Sequence, residues 1–261
     1  MKKIYLLLFL FTLTFTVAQN QPDKNNQIAN IEKKSAHKLM NITVNPNTQN
    51  YDITYHKLEF TVDPAIYAIN GKVTTTYTAL ADMNTVTFDL ANELTVSSVI
   101  MNNQNLSFVE NGNNELVITL PATQYLGTSA TVEITYSGTP PSNGFGSFVT
   151  TTHNSVPILW TLSEPFGARD WWPCKQDLND KVNSIDVYIT TPSQYIAVSN
   201  GIEPESPVDD GTNKTTHFHH NYPIPAYLIA IAVTNYSVYN QIAGTIPNQY
   251  PIVNYIFPEN L

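Results

Sequence analysis

The residues most able to do chemistry lie in one segment, residues 163–177, which reads SEPFGARDWWPCKQD and is called the central segment below. It contains two of the three tryptophans, the only cysteine, and an acid and a base five residues apart, Glu164 and Arg169. Large aromatic side chains favour burial, so we expect Trp171 and Trp172 to pack this loop onto the body of the protein. Glu164 and Arg169 would then be partly desolvated and would need partners. Composition alone leaves two interpretations open, an ordered loop that holds binding groups and a hydrophobic plug that closes a β-sheet.

The order of residues in the central segment resembles the signature of the amino-terminal domain of M1-family zinc aminopeptidases. A second stretch, Tyr-Leu-Ile-Ala at residues 227–230, resembles a Tyr-Leu-x-Ala strand of the same family. Two positions depart from the family pattern, because Leu162 stands where Gln is usual and Gln176 stands where Asp is usual. The residues that match the signature are Glu164, Ala168, Arg169, Pro173, Cys174 and Lys181.

The resemblance implies a non-catalytic domain that packs on the catalytic domain of an exported metallopeptidase. It assigns substrate binding to Glu164, whose carboxylate would anchor the free α-amine of a peptide. The sequence contains no H-E-x-x-H zinc motif and no Gly-x-Met-Glu-Asn-like segment, so no catalytic residue is expected in this chain. The catalytic domain and its zinc are expected after residue 261, and the chain is interpreted as a truncated product or fragment. Alone, it is expected to be inactive and to hold no cofactor.

A second hypothesis comes from a different class of protein. The aromatic side chains could form the stacking platform of a secreted β-sandwich binding module for carbohydrate or protein. That interpretation needs Trp171 and Trp172 exposed, whereas the aminopeptidase interpretation needs them mostly buried. The signature residues favour the aminopeptidase.

The histidines offer one cluster, formed by His217, His219 and His220. On a strand, His217 and His219 would share a face and could chelate an ion. Catalytic zinc needs three protein ligands and an open position, and no acidic residue lies near these histidines in sequence. We therefore expect a solvated strand face and predict no metal site in this chain. A Gly-x-Ser-x-Gly nucleophile motif is absent as well.

Residues 1–18 have the features of a signal peptide. Lys2 and Lys3 form a basic start, residues 4–17 are apolar, and a plausible cleavage site follows Ala18. The apolar run is too short to span a bilayer comfortably, and no later stretch is a candidate span. We therefore expect an exported protein, periplasmic or extracellular, with no membrane span.

The cysteine count and the net charge exclude further classes of protein. A single cysteine, Cys174, excludes an internal disulfide framework, so stability must come from the core. The formal net charge is −9, and removing Lys2 and Lys3 with the signal peptide makes it −11. This acidity argues against nucleic acid and anionic membranes as partners. It is consistent with a cationic or amine-bearing ligand, although solubility explains it equally well.

The pattern along the chain predicts an all-β fold. Residues 19–50 are polar and predict a leader that is partly disordered or forms a short helix. From Tyr51 onward, apolar residues alternate in short runs separated by turn signals. We therefore predict one large multi-stranded β domain over residues 51–261, saddle-like or sandwich-like, with few or no helices.

Four local predictions can be compared with the structure. A change of alternation phase predicts a β-bulge near residues 56–57. Asn-Gly at residues 70–71 is placed inside a longer strand rather than at a hairpin turn. Residues 137–154 are predicted to be a long surface loop. The apolar run 226–233 predicts a continuous strand buried on both faces.

Overall fold

A computed structural model describes residues 44–142 and 146–261. The predicted signal peptide and most of the predicted leader therefore lie outside the described residues. The described chain forms nineteen strands and four short 3-10 helices, at Pro46–Thr48, Ala168–Asp170, Ala226–Leu228 and Pro258–Asn260. The strands are β1 (Tyr51–Thr61), β2 (Ile69–Ala79), β3 (Met83–Asp89), β4 (Leu94–Met101), β5 (Gln104–Asn105), β6 (Phe108–Asn111), β7 (Glu115–Gln124), β8 (Ser129–Gly138), β9 (Phe148–His153), β10 (Val156–Thr161), β11 (Lys181–Val182), β12 (Ser184–Pro192), β13 (Ile196–Ser199), β14 (Val208–Asp209), β15 (Asn213–His220), β16 (Ile224–Pro225), β17 (Ile231–Thr234), β18 (Ser237–Ala243) and β19 (Tyr250–Ile256). The predicted all-β class is confirmed.

Eight strands form one sheet, called the large sheet below, in the order β14-β15-β12-β1-β2-β8-β4-β5. Strands β1 and β12 pair in parallel, and the other neighbours in this sheet are antiparallel. Parallel neighbours need a long connection, because the chain must return to the same end of the sheet. The central segment lies in the stretch between β1 and β12, after β10 and shortly before β12.

Side chains alternate between the two faces of the large sheet. In β12, Ile185, Val187 and Ile189 are buried, whereas Asp186 and Tyr188 are only partly covered. This is the period of two expected for strands with one face on a core. The face of the buried side chains is called the inner face below, and the other is called the outer face.

Smaller sheets complete the described fold. Strands β3, β7 and β6 form a three-stranded sheet, and β13, β17, β10 and β9 form a four-stranded sheet in that order. Two further strand pairs, β11 with β16 and β18 with β19, each form a two-stranded sheet. One hydrophobic core connects the large sheet, the three- and four-stranded sheets, the β11–β16 pair and the central segment.

Two of the local predictions concern the bulge in β1 and the Asn-Gly pair in β2. The register shift in β1 lies between Ile53 and Tyr55, so its predicted place at residues 56–57 is slightly wrong. The reason is that His56 is buried with Leu58, while Tyr55 turns to the outer face and its hydroxyl donates to Asp186. Asn-Gly at residues 70–71 lies inside β2, as predicted.

Two other local predictions are wrong in part. Residues 137–154 include the end of β8 and all of β9, which pairs with β10. The run 226–233 is not one continuous strand, because a 3-10 helix occupies residues 226–228 and β17 starts only at Ile231. A hairpin with the neighbouring strand β10 holds β9 extended, whereas β17 pairs with the distant strands β10 and β13.

Candidate functional site

The central segment packs against the inner face of the large sheet through its two tryptophans. The Trp171 ring lies 5.1 Å from the Phe60 ring, and the Trp172 ring lies 5.2 Å from the His56 ring. Both indoles are 0% exposed. The predicted burial is confirmed, and these indoles cannot serve as the stacking platform of a binding module.

Backbone pairing with the end of β3 holds the second half of the segment. Cys174 and Asp89 exchange two backbone hydrogen bonds, of 2.8 Å and 3.0 Å. The buried Asp89 carboxylate also accepts from the backbone N–H of Gln176 at 2.9 Å and from Asn45 Nδ2 at 2.9 Å. Burial raises the pKa of Asp89, while these hydrogen bonds act in the opposite direction. Asp89 thus connects the segment to β3 and to the residues just before β1.

A buried ion pair holds the same half of the segment to β1. Lys175 Nζ lies 2.5 Å from Asp180 Oδ2, and both side chains are almost fully covered. Lys175 also donates to the carbonyl of Tyr51 at 2.6 Å and lies 4.9 Å from the centre of that ring. Burial raises the pKa of Asp180, and the contact with Lys175 opposes that shift. Removing either partner would leave an uncompensated buried charge, so the pair is structural.

The cysteine of the signature is structural as well. Cys174 is 0% exposed, and burial raises the pKa of its thiol well above the ordinary value. A neutral, covered thiol is a poor nucleophile and a poor metal ligand. Ala168 and Pro173 are also buried, so these three signature residues fill the core beneath the segment.

Glu164 differs from these neighbours, because it is exposed. It lies in a turn that is closed by a 2.7 Å hydrogen bond from the N–H of Gly167 to the carbonyl of Ser163. The expectation that Glu164 is partly desolvated is therefore wrong: the turn carries the carboxylate to the surface. Glu164 forms no ion pair with Arg169 or with any other described residue.

Arg169 acts through its charge on the acids of the segment and of β3 instead. It is half-buried, and its charge acts to lower the pKa of both Asp89 and Asp170, against the upward effect of burial. Its backbone N–H donates to Gln176 Oε1 at 3.3 Å, and its carbonyl accepts from the N–H of Ala91 at 2.9 Å. Gln176, the departure from the family pattern, therefore takes part in the packing of the segment.

The two motifs that carry the resemblance come together in space. Pro165, Ala168 and Gln176 of the central segment line one small cleft with Tyr227 of the Tyr-Leu-Ile-Ala stretch. Lys181, the last signature residue, is exposed at the start of β11, whose backbone pairs with Pro225 and Ile224 of β16. The short β11–β16 pairing thus places residue 227 beside the segment.

His217 and His219 lie on the outer face of the large sheet next to acidic side chains, whereas His220 is paired with Ile185 and lies on the other face. His217 Nε2 lies 2.7 Å from Asp186 Oδ1, and His219 Nδ1 lies 2.8 Å from the same oxygen. His217 Nδ1 lies 3.0 Å from Glu205 Oε1. Asp186 cannot be predicted from the sequence as a partner of these histidines, because it belongs to β12, which becomes a neighbour only through strand pairing. Among residues 44–142 and 146–261, no group of three or more His, Cys, Asp or Glu side chains is arranged to hold a metal ion.

Comparison with known proteins identifies the class of this protein. Residues 47–228 match the family model of the Peptidase M1 N-terminal domain, which is more than half of the chain. The chain therefore belongs to the M1 peptidase amino-terminal domain family, which confirms the predicted resemblance.

Curated relatives with sequence similarity are aminopeptidases. Leucine aminopeptidase 2 of Chaetomium globosum is 32% identical over 83 residues, which is 31% of this chain and 13% of that protein. Human glutamyl aminopeptidase is 33% identical over 103 residues, which is 39% of this chain and 10% of that protein. The chain therefore matches only a small part of the length of these relatives.

Solved structures support the same fold. The crystal structure of an M1 zinc metallopeptidase from Deinococcus radiodurans has a TM-score of 0.67 at 24% identity, covering 75% of this chain and 44% of that one. A mutant of that metallopeptidase bound to a Tyr-Ser-Ala substrate has a TM-score of 0.68 at 22% identity, with 79% and 47% covered. No helix within the described residues is long and apolar enough to cross a membrane.

Proposed function

We propose that this chain is the amino-terminal domain of an exported M1-type zinc aminopeptidase, in which Glu164 anchors the free α-amine of the peptide substrate. The observation that carries the proposal is an exposed carboxylate on a turn whose flanking residues are buried and hydrogen-bonded. Family membership, the aminopeptidase relatives and the Tyr-Ser-Ala complex of a structural neighbour support it. Export is proposed from residues 1–18, which lie outside the described residues.

A carboxylate is the natural complement of a protonated amine. A charge-assisted hydrogen bond between the two is shorter and stronger than one between neutral groups. Because Glu164 forms no ion pair with another described residue, no internal cation among them competes with the substrate. Glu164 would fix where the end of the peptide lies, and thereby which peptide bond reaches the catalytic centre. It would neither make nor break bonds.

The chemical step is assigned to the catalytic domain of the same protein. Its zinc would supply an activated water for amide hydrolysis. The described residues of this chain offer no set of zinc ligands, and its sequence contains no H-E-x-x-H motif. This chain would contribute binding and orientation.

A surface suited to that domain lies on the β18–β19 hairpin, beyond the end of the family match at residue 228. The hairpin pairs with no other described strand, and a two-stranded hairpin by itself is marginally stable in water. Ile242, Ile246 and Tyr250 are 72%, 83% and 59% exposed. Several exposed apolar side chains on one hairpin are typical of a surface that another domain covers. We therefore propose that the catalytic domain packs here.

The experiment uses the full-length enzyme and aminoacyl-anilide substrates with free amines. Glu164→Ala should lower kcat/KM about ten- to a hundredfold, since one charge-assisted hydrogen bond contributes about 1.5–3 kcal/mol. Glu164→Gln should have a smaller effect, because its amide oxygen still accepts. The control is Glu133→Ala on the outer face of the large sheet, which should leave kcat/KM unchanged. An unchanged kcat/KM with a lowered melting temperature for Glu164→Ala would show instead that Glu164 is structural.

A further inference from the structure

The orientation of Glu164 must be set largely by its backbone, because its side chain forms no ion pair with another described residue. Its turn is closed on one side by Gly167, whose N–H donates to the Ser163 carbonyl. A Cβ at position 167 would lie 2.2 Å from Ser147 Oγ and 3.0 Å from Ser163 Cα, so a larger residue there would force these groups to shift. Ser163, directly before Glu164, is the other end of the turn.

Ser163 is held by a hydrogen bond from a buried tryptophan. Its side chain is buried, and its Oγ accepts a 2.8 Å hydrogen bond from Trp171 Nε1. A buried hydroxyl bonded to a buried indole has little freedom to rotate, because losing the contact would leave the indole N–H unsatisfied. The contact therefore restrains the residue from which the Glu164 backbone extends.

Trp171 is itself held to the large sheet by two strands. Its carbonyl accepts a 2.7 Å hydrogen bond from the hydroxyl of Tyr136 in β8. Its ring packs 5.1 Å from the ring of Phe60 in β1. Contacts thus run without a break from the sheet through Trp171 and Ser163 to the turn that carries Glu164.

We propose that the hydrogen bond from Trp171 to Ser163 positions Glu164 for amine binding, so that Ser163 and Trp171 are positioning residues of the aminopeptidase site. This inference rests on the proposed function. It adds that contacts with the large sheet, made through Trp171 and Ser163, fix the position of the turn that carries the exposed carboxylate.

The molecule contains a matched control for this contact. Trp172 is buried to the same degree, and its ring lies 6.0 Å from that of Trp171. Its Nε1 is buried without a hydrogen-bond partner among the described residues. Replacing either tryptophan by Phe removes similar volume, but only Trp171→Phe removes the hydrogen bond to Ser163.

The test measures kcat/KM of the full-length enzyme on an aminoacyl-anilide, with melting temperatures recorded for every variant. Ser163→Ala and Trp171→Phe should each lower kcat/KM about three- to tenfold, as expected for one neutral hydrogen bond. Trp172→Phe should lower it less than about twofold, at a comparable melting temperature. Equal losses from the two Phe variants would overturn the proposal.

A double-mutant cycle decides whether Ser163 acts through Glu164. In a Glu164→Ala background, Ser163→Ala should cause no further loss of kcat/KM, because the group that it positions is gone. A loss of undiminished size in that background would overturn the positioning role, even if Trp171→Phe failed to fold. If Glu164→Ala lowers kcat/KM while Ser163→Ala does not, only this inference fails. If Glu164→Ala itself has no effect, the proposed function fails as well.

Discussion

At the level of single residues, burial separates the structural side chains from the one assigned to binding. Asp89 and Lys175 are almost fully covered, and each is engaged by the groups around it. Glu164 belongs to the same segment and is exposed. A buried charge must be compensated within the fold, whereas an exposed one can meet a ligand. The contrast explains why one short segment can both complete the core and present a carboxylate.

His56 gives a residue-scale prediction about pH. Its ring is buried beside Trp172, Nδ1 lies 2.9 Å from Thr75 Oγ1, and burial lowers its pKa to about 3. The unfolded chain has an ordinary histidine pKa of about 6.5, so between these values the unfolded state binds a proton that the folded state does not. The contribution of His56 to stability is therefore complete above about pH 6.5 and is lost as the pH falls towards 3.

Urea unfolding of wild type and His56→Asn at pH 7.5 and pH 5 measures this effect. His56→Asn should be less stable at pH 7.5, because the ring packing is lost. Its further loss on going to pH 5 should be smaller than that of wild type by about 2 kcal/mol. An identical pH dependence in both proteins would contradict a buried neutral imidazole.

The exposure and contacts of a single residue can be predicted only when the residues that it contacts are near in sequence. The signature from Glu164 to Lys181 is local in sequence, and with residues 227–230 it predicts the family that the family model confirms. The exposure of Glu164 was not predictable, because it depends on a turn held by Trp171. The pairing of Asp186 with two histidines was missed for a similar reason, since strand register brings them together.

At the level of elements, the close approach of β2 and β8 supports the base of the central segment. A Cβ at Gly71 in β2 would lie 2.4 Å from ring atoms of Tyr136 in β8. Tyr136 is buried and donates to the carbonyl of Trp171. The absent side chain at residue 71 thus makes room for the ring that holds the segment.

Gly71→Ala should therefore be destabilising, by about 1–3 kcal/mol, as is usual for overpacking in a core. The control is Gly112→Ala, because a Cβ at Gly112 would meet no atom within 4 Å. That variant should stay within about 0.5 kcal/mol of wild type. Urea unfolding of the three proteins provides the comparison. Equal stability of the two variants would show that Tyr136 moves aside without cost.

Strands were predicted correctly where apolar and polar residues alternate clearly. The prediction was wrong where pairing with another strand determines the conformation. The inner-face pattern of β12 was evident from Ile185, Val187 and Ile189. Strand β9 lies in residues 137–154, for which the abundance of Gly, Pro, Ser and Thr predicts a loop, but its hairpin with β10 holds it extended. The parallel pairing of β1 with β12 could not be predicted, because more than a hundred residues separate the two strands.

At the level of the whole molecule, the chain is proposed to work only together with a catalytic domain. Residues 19–261, purified alone, should hold no stoichiometric zinc and show no aminopeptidase activity. Metal analysis after dialysis and an aminoacyl-anilide assay measure both, with the full-length enzyme as the positive control. One tightly bound zinc per isolated chain would contradict the assignment of all zinc ligands to the other domain.

The most direct test of the account measures recognition of the amine itself in the full-length enzyme. Inhibition constants are compared for leucine hydroxamate and for the same hydroxamate without its amino group, in wild type and Glu164→Ala. Wild type should prefer the amine-bearing compound, and Glu164→Ala should reduce that preference about ten- to a hundredfold, the size of one charge-assisted hydrogen bond. The inhibition constant of the compound without the amine should not change. An undiminished preference in Glu164→Ala would contradict the claim that this carboxylate anchors the substrate.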